Sequence, residues 1–157
     1  ALLLAYPGFP AAETRAEGMM DGFREEVPDV AFVGTYSGFT EDVAYESVRE
    51  VLEDGVEFNV ILSMTDEGAY GSIRALQESG YSPDSVVIVS ANGEPFAQEL
   101  IREGTFLRGT VAYNREQSSQ IAIDTLVKML AGSPVPEFVS FPPGDVLTRE
   151  VLSALGS

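Results

Sequence analysis

Two adjacent acids, Asp66 and Glu67, follow the apolar run Val60–Leu62 in the stretch VILSMTDEGAYGSIRAL. Carboxylates at the end of a buried strand can bind a metal ion, accept a phosphoryl group or act as a base. They can also begin a helix, because the N-terminal end of the helix dipole stabilises negative charge. Adjacent residues at a helix start point in different directions, and no third carboxylate stands at a strand end. The sequence therefore favours a helix start over a metal or catalytic site.

The composition removes several classes of chemistry. The 157-residue chain contains neither cysteine nor histidine, which excludes thiol catalysis, disulfides, Ser-His-Asp chemistry and the usual zinc ligands. Its formal net charge of −16 argues against nucleic-acid binding by this segment, because such binding needs basic patches. The first strand is followed by AYPGFPAAE rather than GxGxxG, and no GxxxxGK[ST] loop is present. We therefore expect no enzyme activity, no metal and no cofactor.

Short apolar runs alternate with amphipathic stretches along the whole chain. Strands are predicted at Leu2–Ala5, Val30–Val33, Val60–Leu62, Val86–Val89 and Leu107–Ala112, with a short one around Phe138–Val139 and a last helical turn. Apolar residues at helical spacing predict helix faces at Ala16–Phe23, Ala44–Val51, Ala69–Leu76, Ala97–Ile101 and Ile123–Leu130. This alternation predicts one doubly wound α/β domain over residues 1–157, Rossmann-like or flavodoxin-like. Its parallel sheet has about five to six strands, with helices on both faces.

Ligands in such sheets bind at the carboxyl ends of the strands. Five residues just beyond those ends have the chemistry of a small-molecule pocket: Arg15, Phe39, Thr65, Asn92 and Tyr113. Aromatic rings can stack on the apolar face of a sugar. A guanidinium, an amide and a hydroxyl supply the donors and acceptors that match its hydroxyl groups. Because the five residues follow five different strands, the sequence predicts that they form one ligand site.

Each of these residues also has a purely structural explanation. Arg15 lies near a helix start and can form a surface ion pair, and Phe39 can anchor its loop in the core. Asn92 precedes Gly93 and can form a turn with it, while Tyr113 can cap the edge of the sheet. The sequence alone leaves these alternatives open for each residue.

At these positions the chain resembles a known family. TRAEGMMDGF is similar to its R-x-x-G-[FM] helix start, and TDEGAYGSIRALQESGY to its N-D-x-x-A-x-G-x-x-x-A-L-x-x-x-G signature. VVIVSANGEPFAQELIREGTFLRGTVAYN and AIDTLVKMLAGSPVPEFVSFPPGDVLTRE are similar to the family's later runs, in the same order and spacing. The chain thus resembles the C-terminal lobe of type I periplasmic sugar-binding proteins. That fold is shared with the effector domains of lactose-repressor-type regulators.

The resemblance implies roles for the same five positions. The family's ligand-binding guanidinium falls on Arg15, and the aromatic residue after its second strand falls on Phe39. Its asparagine, aspartate and glutamine fall on Thr65, Asn92 and Tyr113, so three of the five differ in type. A different or larger polar ligand is therefore expected as much as a simple pentose or hexose.

The resemblance further implies a function. We expect residues 1–157 to be the ligand-gripping lobe of a substrate-binding protein that delivers a sugar or related small polar metabolite to an ABC importer. Its partners would be the ligand, the permease and a missing N-terminal lobe, and its location would be extracytoplasmic, in the periplasm or as a cell-surface lipoprotein. The alternative is the effector-sensing domain of a lactose-repressor-type regulator, which would be cytoplasmic, or of a membrane receptor. Upstream sequence would decide between the two.

Overall fold

The fold was obtained as a computed structural model, which describes residues 1–155. The strands are β1 (Leu2–Ala5), β2 (Gly34–Ser37), β3 (Val60–Ser63), β4 (Val87–Asn92), β5 (Leu107–Tyr113) and β6 (Pro143–Thr148). The helices are α1 (Pro10–Glu26), α2 (Glu41–Glu53), α3 (Asp66–Glu78), α4 (Pro95–Glu103), α5 (Arg115–Leu130) and α6 (Arg149–Leu155). The predicted α/β fold is confirmed. None of the described helices is long and apolar enough to cross a membrane.

The six strands form one sheet in the order β2-β1-β3-β4-β5-β6. The first five strands in this order run parallel, as the sequence predicted, and β6 runs antiparallel to β5. The chain leaves the end of β5 through α5 and returns to the same end, where Pro143 pairs with Tyr113. A strand that begins where its neighbour ends has to run in the opposite direction.

The larger core lies on one face of the sheet. There α2, α3, α4 and α6 pack their apolar residues against inward-facing leucine and isoleucine side chains of the strands. The predicted faces of α2 and α3 are buried as expected, and Phe106 is the largest fully buried side chain among the described residues. Burial of this kind contributes about 25 cal/mol for each square ångström of apolar surface removed from water.

The opposite face of the sheet has a smaller core, made with α1 alone. Ala12 and Ala16 of α1 are buried against Leu3, Leu62 and Met64. The predicted α1 face is confirmed, because Met19, Met20 and Phe23 also pack on this cluster. By contrast, the predicted helix α5 forms but buries none of its large apolar side chains.

Two strand predictions were wrong. The predicted strand Val30–Val33 lies before β2, which pairs with β1 from Gly34 onward. The preceding apolar residues serve other purposes, since Phe32 packs against α1 and the Val33 amide bonds to the Ala1 carbonyl. The short strand predicted around Phe138–Val139 is also absent, because that segment crosses outside the sheet before β6 begins.

Candidate functional site

The carboxyl ends of β1 to β5 meet at one edge of the sheet, because these strands are parallel. The five residues predicted to bind a ligand all belong to elements at this edge. Arg15 is on the second turn of α1, Phe39 and Thr65 precede α2 and α3, and Asn92 and Tyr113 end β4 and β5. The topology therefore brings the five loops of the predicted site to one side of the lobe.

Arg15 is fixed to the sheet rather than to an acid. Its Nη1 donates a hydrogen bond of 3.1 Å to the carbonyl oxygen of Met64, just after β3. Among the described residues it forms no ion pair, although the chain holds 25 acids. The surface ion pair that the sequence left open is therefore not formed, and the exposed remainder of the guanidinium fork stays available.

The Thr65 side chain makes its hydrogen bonds within the protein. Its side chain is 1% exposed, and its hydroxyl donates to the carbonyl oxygen of Phe39 at 2.7 Å. The same oxygen accepts a hydrogen bond of 3.0 Å from the Gly68 amide, which caps the N-terminus of α3. The hydroxyl that was expected to meet a ligand thus joins the loop of Phe39 to the start of α3.

We expect Thr65→Val to lower the free energy of unfolding by about 1–2 kcal/mol, because it removes a helix cap and a buried hydrogen bond while it keeps the side-chain shape. Thr65→Ser retains the hydroxyl and serves as the matched control. Urea denaturation followed by circular dichroism measures both variants. Equal stability of the valine variant and the unchanged chain would contradict this assignment.

Asp66 is at the centre of a buried network that the sequence analysis missed. It is 0% exposed, and its Oδ1 accepts hydrogen bonds from the Ser90 hydroxyl at 2.5 Å and the Thr110 hydroxyl at 2.7 Å. Its Oδ2 accepts a bond of 2.7 Å from the backbone amide of Glu94. Asp66 does begin α3, as predicted, but it also joins β4, β5 and the start of α4. The signal in the sequence was the pair of hydroxyl residues inside the apolar strands VVIVSAN and LRGTVAY.

Asn92 has an unusual backbone conformation. Its φ is +128°, in the region that L-residues rarely adopt and that costs on the order of 1–3 kcal/mol. Among the described residues its side-chain amide has no hydrogen-bond partner. The next residue, Gly93, also has positive φ, and a Cβ there would lie 2.7 Å from the Ala112 Cα. Asn92 and Gly93 thus both have positive φ where the chain leaves β4 for α4, and the asparagine amide stays free.

Aromatic rings form a wall at the β1 and β2 side of the edge. Phe39 is 42% exposed rather than anchored in the core. Its ring centroid lies 5.2 Å from that of Tyr6, which in turn lies 6.1 Å from that of Phe9. Sequence analysis missed Tyr6 and Phe9, although both stand in the loop YPGFP that follows the first strand.

Three of the five predicted residues line two neighbouring grooves rather than one, and Thr65 and Asn92 line neither of these grooves. Arg15 and Tyr113 line a groove of about 860 Å³ between α1 and the segment 138–143. Phe39 lines a smaller groove of about 290 Å³ with Tyr6. Tyr113 is exposed at the end of β5 and faces the larger groove. The loop between β1 and α1 runs between the two grooves, since Tyr6 and Pro7 line the smaller one and the first residues of α1, Pro10 and Ala11, line the larger one.

The exposed side chains at this edge can form hydrogen bonds and ring contacts with a small molecule. The edge offers a guanidinium fork, a free amide and exposed aromatic faces, which match the hydroxyl groups and the apolar faces of a polyhydroxylated molecule. Within residues 1–155 no cluster of acidic side chains is placed to hold a metal ion. Asp66 follows the end of β3, where a metal-binding carboxylate could stand. Both of its carboxyl oxygens are already hydrogen-bonded inside the protein.

Solved structures of transport proteins share this fold. The chain is similar to the periplasmic binding protein of the arabinose ABC transporter from Shewanella sp. ANA-3, bound to L-arabinofuranose, with 26% identity and a TM-score of 0.81 over 98% of this chain and 52% of that one. It is also similar to an ABC transporter solute-binding protein from Actinobacillus succinogenes 130z with bound D-allose, with 23% identity and a TM-score of 0.81 over 98% of this chain and 53% of the other.

A third structure, an ABC transporter solute-binding protein from Bacillus halodurans C-125 with bound myo-inositol, has 24% identity and a TM-score of 0.81 over 99% of this chain and 53% of its own. The chain thus spans about half the length of these structures. A search of curated proteins found no match. Residues 1–134 match the family described as periplasmic binding protein domain, so the chain belongs to the periplasmic binding protein family.

Proposed function

We propose that this chain is the C-terminal, ligand-binding lobe of a substrate-binding protein that serves an ABC importer for a sugar or a related small polar metabolite. The proposal is supported by the family and by the ligands of the similar structures, which are D-allose, L-arabinofuranose and myo-inositol. All three are small polyhydroxylated molecules, and the carboxyl edge of this sheet carries groups that suit such a ligand.

The observation that carries the proposal is the conformation of Asn92. A residue held at φ +128° with an unpaired side-chain amide contributes nothing evident to the stability of the fold. Strained residues of this kind persist where the surrounding structure supports a function. In this structure two hydrogen bonds supply that support. The Thr110 hydroxyl accepts a bond from the Gly93 amide, next to Asn92, and donates one to Asp66. In the proposed site, Asn92 donates to one ligand hydroxyl and accepts from another.

The other residues have distinct roles in the proposal. Arg15 presents the rest of its guanidinium fork to ligand oxygens, while its bond to the Met64 carbonyl limits the freedom that binding would otherwise remove. Phe39 and Tyr113 stack on apolar faces of the ligand from opposite sides of the edge. Thr65 acts indirectly, since it holds the backbone of Phe39.

The proposed mechanism needs a second lobe. One open edge covers only part of a ligand, whereas small-molecule sites usually bury most of it. In the proposal, a second lobe closes over the bound ligand, and ligand binding shifts the population toward the closed form that the permease recognises. The proposed location is outside the cytoplasm, as for the similar structures described as periplasmic.

We expect this lobe alone to bind L-arabinose, D-allose or myo-inositol with a Kd in the millimolar range or weaker, about 1 mM corresponding to only −4 kcal/mol. A ¹⁵N-labelled sample titrated with each compound in turn detects such binding by NMR. The amide signals expected to shift are those of Arg15, Phe39, Gly93 and Tyr113. Shifts spread evenly over the surface, or shifts confined to another face, would contradict the site.

Two variants and one control sharpen this titration. Arg15→Ala and Asn92→Gly should each weaken binding by roughly tenfold, about 1.4 kcal/mol, through loss of ligand hydrogen bonds. Glycine adopts positive φ freely, so Asn92→Gly keeps the turn and removes only the amide. Arg24→Ala is the control, because Arg24 is on the same helix and pairs with Asp21 on the surface. Equal affinity in all three variants would overturn the residue assignments.

A further inference from the structure

The smaller of the two grooves, of about 290 Å³, lies between the loop that follows β1 and the start of α2. Part of the aromatic wall lines it, namely Tyr6 and Phe39, whose ring planes are inclined by 34° to each other. Tyr6 is 49% exposed and Phe39 42%, and Pro7 and Val43 add apolar surface. Two exposed rings at such an angle form a platform on which the apolar face of a sugar ring can stack.

The groove is also uncharged and carries free hydroxyl groups. None of the described residues that line it is charged, although the chain contains 25 acids. Tyr6, Ser37 and Thr40 each present a hydroxyl that has no hydrogen-bond partner within residues 1–155. Thr40 is the clearest case, because it occupies the capping position of α2 and yet its side chain caps no backbone amide. Aromatic rings beside free, neutral hydroxyls suit a neutral polyhydroxylated ring better than an ion.

The backbone beneath this groove is fixed before any ligand binds. The Gly38 amide donates a hydrogen bond of 2.9 Å to the Ala5 carbonyl oxygen. The next residue, Phe39, accepts the bond of 2.7 Å from the Thr65 hydroxyl. The loop after β2 is thus attached both to β1 and to the start of α3. A surface held in this way loses little freedom when a ligand binds to it.

The groove is continuous with the proposed ligand site. Arg15 is bonded to the carbonyl oxygen of Met64, and the Phe39 carbonyl is bonded to the following residue, Thr65. Consecutive Cα atoms are about 3.8 Å apart, so the guanidinium and the Phe39 loop are attached at neighbouring points of the carboxyl edge. A ligand that contacts both extends across the loop between β1 and α1, and its next group meets the ring of Tyr6, 5.2 Å from that of Phe39.

We propose that the smaller groove is a second subsite, which binds a second sugar ring, so that the ligand is a two-ring glycoside such as a disaccharide. This assignment rests on the proposed function, because it takes the first ring to lie at Arg15 and Asn92. The second ring stacks on Tyr6 and Phe39, and its hydroxyl groups pair with the free hydroxyls of Tyr6 and Thr40. The groove is smaller than the roughly 300–1,000 Å³ of pockets that hold a whole ligand, as expected for one ring.

The first test compares each one-ring compound with a two-ring compound that contains it. The pairs are L-arabinose and L-arabinobiose, D-allose and glucosyl-D-allose, and myo-inositol and galactinol. In the pair that binds, the two-ring compound should bind the 157-residue chain roughly tenfold more tightly. In the ¹⁵N NMR titration it should also shift the amide signals of Thr40 and Val43, which the one-ring compound leaves in place.

The outcomes separate the second subsite from the proposed function. Equal affinity within every pair, with shifts confined to the signals of Arg15, Phe39, Gly93 and Tyr113, would overturn the second subsite and leave the proposed function standing. A chain that binds none of the six compounds would contradict the proposed function, and the second subsite would fall with it.

The variant Val43→Glu tests where the second ring lies. Val43 is 45% exposed in the first turn of α2, where the helix dipole favours an acid, so the variant should fold. It should remove most of the tenfold advantage of the two-ring compound, because the ring would desolvate the new charge without pairing it. Val27→Glu is the matched control, since Val27 is 42% exposed and follows α1 at the other end of the strands. An advantage that persists in Val43→Glu would overturn the proposal.

Single hydroxyl deletions test the chemistry of the occupant. Tyr6→Phe and Thr40→Val each remove one hydroxyl and keep the shape of the side chain. Each should weaken binding of the two-ring compound roughly threefold to tenfold through loss of one hydrogen bond. Tyr6→Ala should weaken it further, because the stacking surface is lost as well. Unchanged affinity in both conservative variants would mean that the groove accepts an apolar group rather than a sugar ring, which would overturn the assignment.

Discussion

Replacing Asp66 with alanine is expected to lower the free energy of unfolding by about 3–5 kcal/mol, a large part of the stability of a domain this size. Its carboxyl group accepts three hydrogen bonds at a fully buried position. Alanine leaves the Glu94 amide and the two hydroxyl groups without that acceptor, and each unsatisfied buried donor costs about 1–3 kcal/mol.

The neighbouring acid provides the control. Glu67 is exposed in the same first turn of α3, so Glu67→Ala loses only its interaction with the helix dipole, about 0.3–1 kcal/mol. Asp66→Asn should be intermediate, near 1–2 kcal/mol, because an amide can satisfy some of the three partners but not all. Urea denaturation measures the series. Equal losses for the two alanine variants would show that Asp66 acts only through the helix dipole.

The same network should influence ligand binding. Asp66 accepts from the Thr110 hydroxyl, which accepts from the Gly93 amide, and Asp66 also accepts directly from the Glu94 amide. Asp66 also accepts from the Ser90 hydroxyl, so the network holds the chain on both sides of Asn92. The role of Asp66 at the start of α3 is therefore to support the connection between β4 and α4, which the sequence pattern alone did not reveal.

Most of the fold followed from local pattern. The apolar runs that became β1 and β3 have no polar face, and parallel strands covered on both sides need none. The two edge strands of the sheet, β2 and β6, were harder to predict. The β2 strand GTYS alternates in burial, and its start depends on pairing with β1 rather than on the apolar run before it. The position of β6 depends on how the chain returns after α5, and local sequence does not contain that information.

The candidate site was predictable as a set of loops but not as a set of contacts. Topology alone brings strand ends to one edge, so the positions of Arg15 and Asn92 followed from the predicted sheet. The hydrogen bonds of Thr65 to Phe39 and of Asp66 to Thr110 join residues 26 and 44 positions apart. Such distant pairings arise only when the strands assemble, and they decide which polar groups remain free for a ligand.

Gly71→Ala is expected to destabilise the fold by about 3 kcal/mol, although alanine is the better helix former. Gly71 of α3 lies against the first turn of α2. A Cβ at this position would lie 2.7 Å from the Tyr45 backbone nitrogen and would also overlap the Glu41 carbonyl oxygen. Backbone atoms cannot rotate away, so α2 and α3 would have to separate.

Gly22→Ala is the matched comparison and should have the opposite sign. Gly22 is also inside a helix, α1, but a Cβ there would meet nothing within 4 Å. Alanine should therefore stabilise the protein by about 0.5–1 kcal/mol through helix propensity and a less flexible unfolded chain. Paired urea denaturation curves measure both changes on one protein. Stabilisation by both substitutions would mean that α2 and α3 pack less closely than the structure shows, and it would remove the close contact assigned to Gly71.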